Sequence, residues 1–380
     1  EDGANPLATA QRGIFEQVRR FSQKNLDMMI LFVTSKCNSK CRTCFYWDKL
    51  NTQGDLTFEE LETLSQTTPN FNFLFLSGGE PFMREELTSI VGLFSKNNGV
   101  KYVNIPTSGL FKKRVLDWTE LMVKENAHIR FDLAVSIDGF SETNDHIRGV
   151  PGDYKVALET LGGLTEIAEE YRNLYVYVNS TVTSENILEL PDFGRQVLQD
   201  FKTDGHFFNV VRGNPMDESL KSIGKEDLSK FYNAVSKINF EYISRGNRKE
   251  KHLLSSVREA SWKGGYLYAY RSQLASQFSE KDWGMPCTAG QTSVVVDYNG
   301  DMRICELRRP IGNLRDYDMN FSRLWSSEFK HDELVRMGMD HCTEWCTHIC
   351  FFFNSMLHSK KAMLFEIPFN YLKFQVTGKV

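Results

Sequence analysis

The sequence predicts an α/β fold, with six parallel strands in a sheet or partial barrel and a small cysteine-rich region after them. Six apolar runs rich in β-branched and aromatic residues recur along the chain, as buried strands do, and segments with helical periodicity lie between them. Strands that alternate with helices form parallel sheets, because each helix carries the chain back to the edge where the previous strand began. Five cysteines after residue 286 mark the second region.

The predicted strands cover residues 28–33, 71–76, 100–105, 131–137, 174–182 and 206–211. The predicted helices between them cover residues 57–66, 84–96, 112–125, 154–171 and 184–200. Beyond the last strand, a mixture of charged and aromatic residues over 241–284 predicts a helical connector. Two short apolar runs, 293–296 and 302–305, flank Asn299 and Gly300. This pattern predicts a hairpin with Cys305 on its return strand, because both central positions of an Asn-Gly turn favour positive φ.

Composition excludes several classes of partner. The 380 residues carry a formal net charge of -4, and the basic residues are scattered, whereas nucleic-acid binding needs a concentrated basic surface. No run of about 18 apolar residues occurs, and the first residues lack the basic and then apolar layout of a secretory signal. We therefore expect a cytoplasmic protein with no nucleic-acid or membrane partner.

Three cysteines follow the first predicted strand with the spacing C-x3-C-x2-C, at Cys37, Cys41 and Cys44. A loop at the C-terminal end of a barrel strand is where α/β barrels build active sites. Three thiolates bind three irons of a cubane cluster and leave the fourth iron open to a ligand. The alternative is a zinc site, although zinc prefers four ligands and paired C-x2-C spacing.

A second motif, Gly78-Gly79-Glu80-Pro81, follows the second predicted strand. The two glycines allow the backbone to approach a ligand closely, the carboxylate of Glu80 accepts hydrogen bonds from an ammonium group, and Pro81 ends the strand. Together with the cysteine triplet one strand earlier, this motif resembles the radical S-adenosylmethionine (SAM) superfamily. In that family the loop binds the amino group of the methionine part of SAM.

The resemblance covers residues 28–212 and continues from residue 287. It implies a partial (β/α)6 barrel over 28–240, with SAM and a four-iron four-sulfur cluster as cofactors. One electron from the cluster would cleave SAM to methionine and a 5'-deoxyadenosyl radical, which abstracts hydrogen from a substrate. A one-electron donor such as flavodoxin or ferredoxin is then a partner.

The resemblance also implies contacts to SAM from side chains that follow later strands, namely Ser108, Ser136, Asp138, Arg148 and Asn179. Ser136 would contact the methionine or ribose part, Arg148 the carboxylate, and Asn179 the ribose or adenine edge. The alternatives are turn capping for Ser136 and Asp138, and a surface ion pair for Arg148.

One position departs from the pattern of the family. The residue before the third cysteine is commonly aromatic and covers the adenine, whereas here it is Thr43. Phe45 or Tyr46 would cover the adenine instead.

The later cysteines resemble the first half of the SPASM and twitch domains, which hold auxiliary clusters. The most economical site is a second four-iron four-sulfur cluster on Cys287, Cys305, Cys346 and Cys350, with Cys342 as a fifth thiol. The alternative is a zinc site with His341 or His348. The predicted organisation is an N-terminal extension 1–27, the barrel 28–240, the connector 241–284, a twitch/SPASM-like domain 285–355 and a tail 356–380.

The expected function is radical chemistry in which the auxiliary cluster assists the oxidation or epimerisation of a small molecule or sugar. Peptide-modifying relatives often carry a leader-binding domain before the cluster motif, and only 36 residues precede Cys37 here. A peptide or protein maturase is the second expectation. A non-catalytic iron-sulfur or zinc protein is the third, which the Gly78-Gly79-Glu80-Pro81 motif argues against.

Overall fold

The computed structural model describes residues 25–249, 255–278, 281–344 and 346–380. Almost all of the predicted N-terminal extension 1–27 lies outside these residues. The chain divides into two compact units. The first, here called the sheet unit, contains Leu26–Ile223 and Ala289–Asp340, and the second, the helical unit, contains Gly224–Thr288 and His341–Val380.

The sheet unit is built on one nine-stranded sheet with the order β6-β5-β4-β3-β2-β1-β7-β8-β9. Its strands are β1 Met28–Thr34, β2 Phe73–Gly78, β3 Tyr102–Thr107, β4 Arg130–Ser136, β5 Leu174–Val182, β6 Gly205–Val210, β7 Ser293–Val296, β8 Asp301–Arg303 and β9 Pro310–Asn313. Strands β1 to β6 pair in parallel, which gives the predicted partial (β/α)6 barrel.

The helices of the sheet unit are α1 Phe58–Thr67, α2 Leu87–Asn98, α3 Lys112–Glu125, α4 Ser141–Arg148, α5 Asp153–Glu170, α6 Leu190–Asp200, α9 Phe321–Trp325 and α10 Glu328–Met339. Those of the helical unit are α7 Lys225–Lys249, α8 Ser255–Gln277, α11 Ile349–Leu357 and α12 Ile367–Thr377, preceded by a π-helical turn over Ala362–Glu366. No helix among the described residues is both long enough and apolar enough to cross a membrane.

The core of the sheet unit lies at β1, where all seven residues are buried. This strand lies between β2 and β7, so both of its edges are paired. Farther out, β5 alternates between buried and half-buried residues, because helix α5 packs against this part of the sheet and covers one face. The half-buried face carries Tyr175, Tyr177 and Asn179.

Two predicted helices begin later than the sequence suggested. The helix predicted over 184–200 begins at Leu190, because Pro191 has no backbone N–H and occupies the first turn. The helix predicted over 84–96 begins at Leu87, since the chain first forms a 3-10 turn over Pro81–Met83. A further helix, α4, was not predicted.

The predicted hairpin is present, but its turn and its place in the fold differ from the prediction. The N–H of Asp297 donates to the carbonyl of Asp301, so three residues form the loop, and of the Asn-Gly pair Gly300 alone has positive φ, at 89°. Strand β8 ends at Arg303, which places Cys305 beyond the return strand. Strand β7 pairs in parallel with β1, so the hairpin extends the main sheet.

The units of the structure divide the chain differently from the predicted domains. Residue 240 lies inside α7, and residues 289–340 of the predicted twitch/SPASM-like region belong to the sheet unit. The predicted connector, over the part that is described, consists of the end of α7 and helix α8. The predicted tail forms α12 together with the π-helical turn.

Candidate active site

The loop that carries the first cysteine group lies at the C-terminal end of β1, as predicted. The main-chain N–H of Cys37 donates to the side chain of Asn51 at 3.0 Å. The N–H of Cys44 donates to the carbonyl of Cys41, and the carbonyl of Cys44 accepts from the N–H of Met216, each at 3.1 Å. These bonds fix the loop to the segments around it, so the three thiols are held in place by backbone contacts.

Cys37, Cys41 and Cys44 are half-buried free thiols that interact electrostatically with one another. Burial raises the pKa of Cys41 to about 12 and that of Cys44 to about 11, and it also raises the pKa of Cys37. A bound metal opposes this effect, because it stabilises the thiolate form. Three thiolates suit three irons of a cubane, whereas zinc prefers four ligands.

The two glycines of the second motif lie very close to protein backbone. A Cβ on Gly79 would overlap the carbonyl of Lys36, and one on Gly78, whose φ is 120°, would overlap the carbonyl of Thr34. The N–H of Gly79 donates to Thr34, and the N–H of Glu80 donates to Lys36, both at 2.8 Å. The loop after β2 is therefore packed directly on the cysteine loop.

Glu80 is 3% exposed, and its carboxylate joins two loops of the sheet unit. It accepts hydrogen bonds from the hydroxyl of Thr107 at 2.8 Å, the N–H of Ser108 at 2.7 Å and the N–H of Phe82 at 3.2 Å. Burial raises the pKa of Glu80, whereas these three donors oppose the shift. The carboxylate thus already has three protein donors, and its direct effect is to position the loops after β2 and β3. The predicted site residue Ser108 is connected to Glu80 by its main-chain N–H.

Arg148 and Asp138 form a buried pair beside the cysteine loop. Nη1 of Arg148 lies 3.6 Å from Oδ2 of Asp138, and the two side chains are 11% and 1% exposed. The surface ion pair considered for Arg148 is therefore wrong. Burial disfavours its charge, but Cys41 and Asp138 together raise the pKa of Arg148, so it stays protonated. Its Nε is buried and has no hydrogen-bond partner, which leaves a donor available for an anionic ligand.

The buried carboxylate of Asp138 also connects neighbouring strands. Its Oδ1 accepts from the N–H of Thr181 on β5 at 2.6 Å, so its role is more than the local turn capping considered from the sequence. Oδ2 is buried without a hydrogen-bond partner, and burial raises the pKa of this group although Arg148 lowers it. The paired charges therefore lie in a poorly solvated place beside Cys41.

Ser136 and Asn179 are paired in register across β4 and β5, and Ser136 is buried. The side chain of Asn179 accepts from Nδ2 of Asn209 on β6 at 2.6 Å, and Oδ1 of Asn209 is buried without a partner. Sequence reasoning missed Asn209. The signal was a polar residue on the half-buried face of β6, two positions after Phe207, which is the register partner of Asn179.

The two aromatic candidates for covering the adenine have different surroundings. Tyr46 is 6% exposed, and its ring packs edge-on against Phe32 with centroids 4.6 Å apart, so it belongs to the core. Phe45 is half-buried and lies beneath the guanidinium of Arg212, 5.3 Å from its ring centroid. Of the two, Phe45 retains an accessible ring.

The structure distributes the later cysteines between the units. Cys305 is buried and belongs to the sheet unit, whereas Cys287, Cys342, Cys346 and Cys350 belong to the helical unit. Within the helical unit, the carbonyl of Cys346 accepts from Nε1 of Trp283 at 2.8 Å and from the hydroxyl of Ser276 at 3.1 Å. These bonds fasten the segment around Cys346 to the end of α8 and the chain that follows it.

A comparison with known families matches residues 31–198 to the model of the radical SAM superfamily. These residues form a radical SAM domain. The match contains all three cysteines of the first group, the Gly78-Gly79-Glu80-Pro81 motif and Arg148. SAM and a four-iron four-sulfur cluster are the cofactors of such domains, and the free cysteines of the first group are present for such a cluster.

Curated relatives of this chain include enzymes with different substrates. It is 29% identical over 176 residues to the Fe-coproporphyrin III synthase of Methanosarcina barkeri, covering 45% of this chain and 41% of that protein. It is 26% identical over 242 residues to a cysteine-type anaerobic sulfatase-maturating enzyme of Clostridium novyi, covering 57% and 60%. The chain thus spans roughly half the length of the curated relatives it matches.

Solved structures of radical SAM proteins share the fold. The AdoMet-bound structure of anSMEcpe has a TM-score of 0.56 at 18% identity and covers 93% of this chain and 96% of that one. Streptococcus suis SuiB bound to the precursor peptide SuiA has a TM-score of 0.54 at 15% identity and covers 86% and 71%. Together with the sulfatase-maturating relative, these similarities support the predicted SPASM/twitch subgroup.

Proposed function

We propose that this protein reductively cleaves SAM with a cluster held by Cys37, Cys41 and Cys44, and that it starts radical chemistry on a bound substrate. The observation that carries the proposal is the thiol triplet beside a buried, charged Arg148 whose Nε has no partner. When bound, the cluster and SAM supply a 5'-deoxyadenosyl radical that abstracts hydrogen. A non-catalytic iron-sulfur or zinc protein would have no need of an anion-binding arginine there.

In this proposal, different residues of the chain bind different parts of SAM. Arg148 offers its free donor to the carboxylate of SAM, while Asp138 keeps the guanidinium in place from 3.6 Å. Glu80 holds the loop after β2 against the loop after β3, so that backbone groups of the Gly78-Gly79 segment are presented to the amino group. Phe45 offers a ring to the adenine, Ser136 contacts the methionine or ribose part, and Asn179 contacts the ribose or adenine edge.

The test is anaerobic reconstitution with iron and sulfide, followed by reduction with dithionite in the presence of SAM. We expect 5'-deoxyadenosine from the wild type and none from Cys44→Ala. The matched control is Cys342→Ala, which removes a thiol outside the first group. An iron-loaded wild type that forms no 5'-deoxyadenosine would refute the enzyme proposal.

We also propose a second, auxiliary four-iron four-sulfur cluster with ligands from Cys287, Cys305, Cys346 and Cys350. Three of these four cysteines, Cys287, Cys346 and Cys350, belong to the helical unit, which supports a shared site for them. A count of about eight irons per chain supports two cubanes. About four irons and one zinc would instead support the zinc alternative. Single alanine variants at the five positions would show which four thiols retain the second cluster.

Two substrate classes follow for the proposed chemistry. A small molecule, oxidised or epimerised, agrees with curated relatives that are named as synthases of Fe-coproporphyrin III and pre-heme d1. A peptide or protein agrees with the sulfatase-maturating relative and with the peptide-bound SuiB structure of similar fold. The test adds a small-molecule fraction or a peptide fraction of a cell extract to the reduced enzyme. The fraction that increases 5'-deoxyadenosine formation contains the substrate. In the same assay, a one-electron donor such as flavodoxin should be able to replace dithionite as the reductant.

A further inference from the structure

Arg42 lies between the second and third cysteines of the first group and binds two carboxylates at once. Its Nη1 and Nη2 donate to the two oxygens of Glu185 at 2.6 and 2.8 Å. Its Nη2 and Nε donate to Oδ2 of Asp217 at 2.6 and 3.2 Å. The three side chains, here called the Arg42 clamp, are 21%, 36% and 31% exposed.

The two partners of Arg42 lie on loops that follow two different strands of the sheet unit. Glu185 follows β5 and precedes α6, whereas Asp217 follows β6. Asp217 is itself held by the N–H and the hydroxyl of Ser219, at 3.0 and 2.6 Å. One side chain therefore connects the cysteine loop after β1 to the loops that follow β5 and β6, the last two strands of the barrel.

Backbone bonds run parallel to the clamp. The N–H of Arg42 donates to the carbonyl of Ile147, next to Arg148, and its carbonyl accepts from the N–H of Asp217, both at 2.9 Å. These bonds do not need the guanidinium, so a variant of Arg42 should fold. What the side chain adds is a two-sided restraint on the segment from Cys41 to Cys44.

We propose that Arg42 is a positioning residue of the radical SAM site, which restrains the Cys41–Cys44 segment and thereby controls how firmly the thiols hold the cluster. This inference rests on the proposed function for its cluster. An isolated exposed ion pair stabilises little, but a guanidinium that engages two carboxylates with four hydrogen bonds forms a geometrically specific network. Residues that orient metal ligands typically change metal affinity by about 10- to 100-fold when they are replaced.

The experiment compares wild type with Arg42→Gln and Arg42→Lys, using Arg195→Gln as a matched control. Arg195 lies on α6 in the same unit and pairs with Asp192, but that pair is exposed and local. After anaerobic reconstitution, a chelator is added and the rate of iron loss is measured. We expect Arg42→Gln to lose iron about tenfold faster than wild type. Arg42→Lys should be intermediate, because an ammonium keeps the charge without the planar fork, and Arg195→Gln should behave as wild type.

A second readout needs no cluster. In the apo protein, alkylation of Cys41 and Cys44 should be faster in Arg42→Gln, while the unfolding midpoint shows whether the variant is folded. A third readout uses the reconstituted protein. The electron paramagnetic resonance signal of the reduced cluster should change in Arg42→Gln, whereas the loss of a purely structural surface pair would leave that signal unchanged. Unchanged iron loss and unchanged alkylation in a folded Arg42→Gln would overturn the inference.

Two further variants keep the inference testable if Arg42→Gln does not fold. Glu185→Gln and Asp217→Asn each release one side of the clamp, and each should lose iron faster than wild type. Iron loss at the wild-type rate in both would overturn the clamp. Failure of the proposed function is separate: the wild type would then form no 5'-deoxyadenosine, whatever the alkylation rates show.

Discussion

The carboxylate of Glu80 accepts a hydrogen bond from the main-chain N–H of Ser108 at 2.7 Å. This bond joins the ends of two neighbouring strands, β2 and β3, beside the cysteine loop. Because the carboxylate is buried, its donors are also shielded from water, and each depends on the acceptor that Glu80 provides.

Replacing Glu80 with Gln should destabilise the sheet unit. The amide keeps one oxygen acceptor but turns an NH2 group toward N–H and hydroxyl donors, which leaves buried groups unsatisfied. We expect the free energy of unfolding of the apo protein to fall by about 1–3 kcal/mol. Chemical denaturation measures this change. Glu85→Gln, at an exposed position one turn later, is the matched control, and an equal effect in both variants would contradict this role for Glu80.

Gly79→Ala should be far more disruptive than the same change at Gly92. A Cβ at residue 79 overlaps the carbonyl of Lys36, whereas one at residue 92, within α2, meets nothing within 4 Å. We expect Gly79→Ala to cost at least about 1–3 kcal/mol through backbone shifts. Gly92→Ala should be neutral or slightly stabilising, since alanine is the better helix former. Thermal unfolding of the two apo variants gives the comparison, and similar midpoints would show that the two loops do not pack as described.

Phe45 and Tyr46 should respond oppositely to truncation. Tyr46→Ala removes a buried ring that packs on Phe32 and should cost about 3–5 kcal/mol of stability. Phe45→Ala removes a half-buried ring, so its main effect should be weaker binding of SAM to the reconstituted protein. Equilibrium binding of SAM and denaturation of the apo protein separate the two effects. Unchanged SAM binding by Phe45→Ala would remove Phe45 from the proposed cofactor site.

His206 should make stability depend on pH. His206 is 2% exposed, and its ring stacks on that of Phe208 with the ring centroids 4.0 Å apart. Its Nε2 lies 2.8 Å from the hydroxyl oxygen of Ser180. Burial lowers the pKa of His206 to about 3, well below the ordinary value of 6.5. The unfolded chain therefore binds a proton below pH 6.5 that the folded chain does not, so stability is lost as the pH falls from 6.5 toward 3.

Between pH 7 and pH 5 this difference should lower the free energy of unfolding by about 2 kcal/mol. His206→Gln keeps a polar partner for Ser180 but removes the titration. The free energy of unfolding of this variant should therefore fall by about 2 kcal/mol less than that of the wild type between pH 7 and pH 5. The same substitution at His128, an exposed residue, is the control. Equal pH dependence in wild type and His206→Gln, measured by chemical denaturation at both values, would rule out this contribution.

Short-range patterns predicted much of this protein. The spacing of Cys37, Cys41 and Cys44 after an apolar run placed the cluster loop at the end of β1, and the periodicity of the first 211 residues predicted all six parallel strands. Strand β5 and helix α3 match their predicted bounds, because their hydrophobic patterns end where turn residues begin. Such features depend on neighbours within a few positions, which a sequence displays directly.

Other features depend on residues that are far apart in the chain. The pairing of β7 with β1 joins residues about 265 positions apart, so no local pattern could show that the hairpin extends the main sheet. The same holds for Arg42, whose partners lie 143 and 175 residues away, and for the pair of Asn179 and Asn209.

Motif chemistry alone identified Glu80 and the two glycines, but it did not show their contacts within the protein. Their nearest groups are the backbone of the β1 loop and the donors at Thr107 and Ser108. The spacing of residues therefore specified which side chains form the site. Folding decided their contacts, because a hydrogen bond or a close approach depends on distances of a few ångströms that are created when distant segments meet.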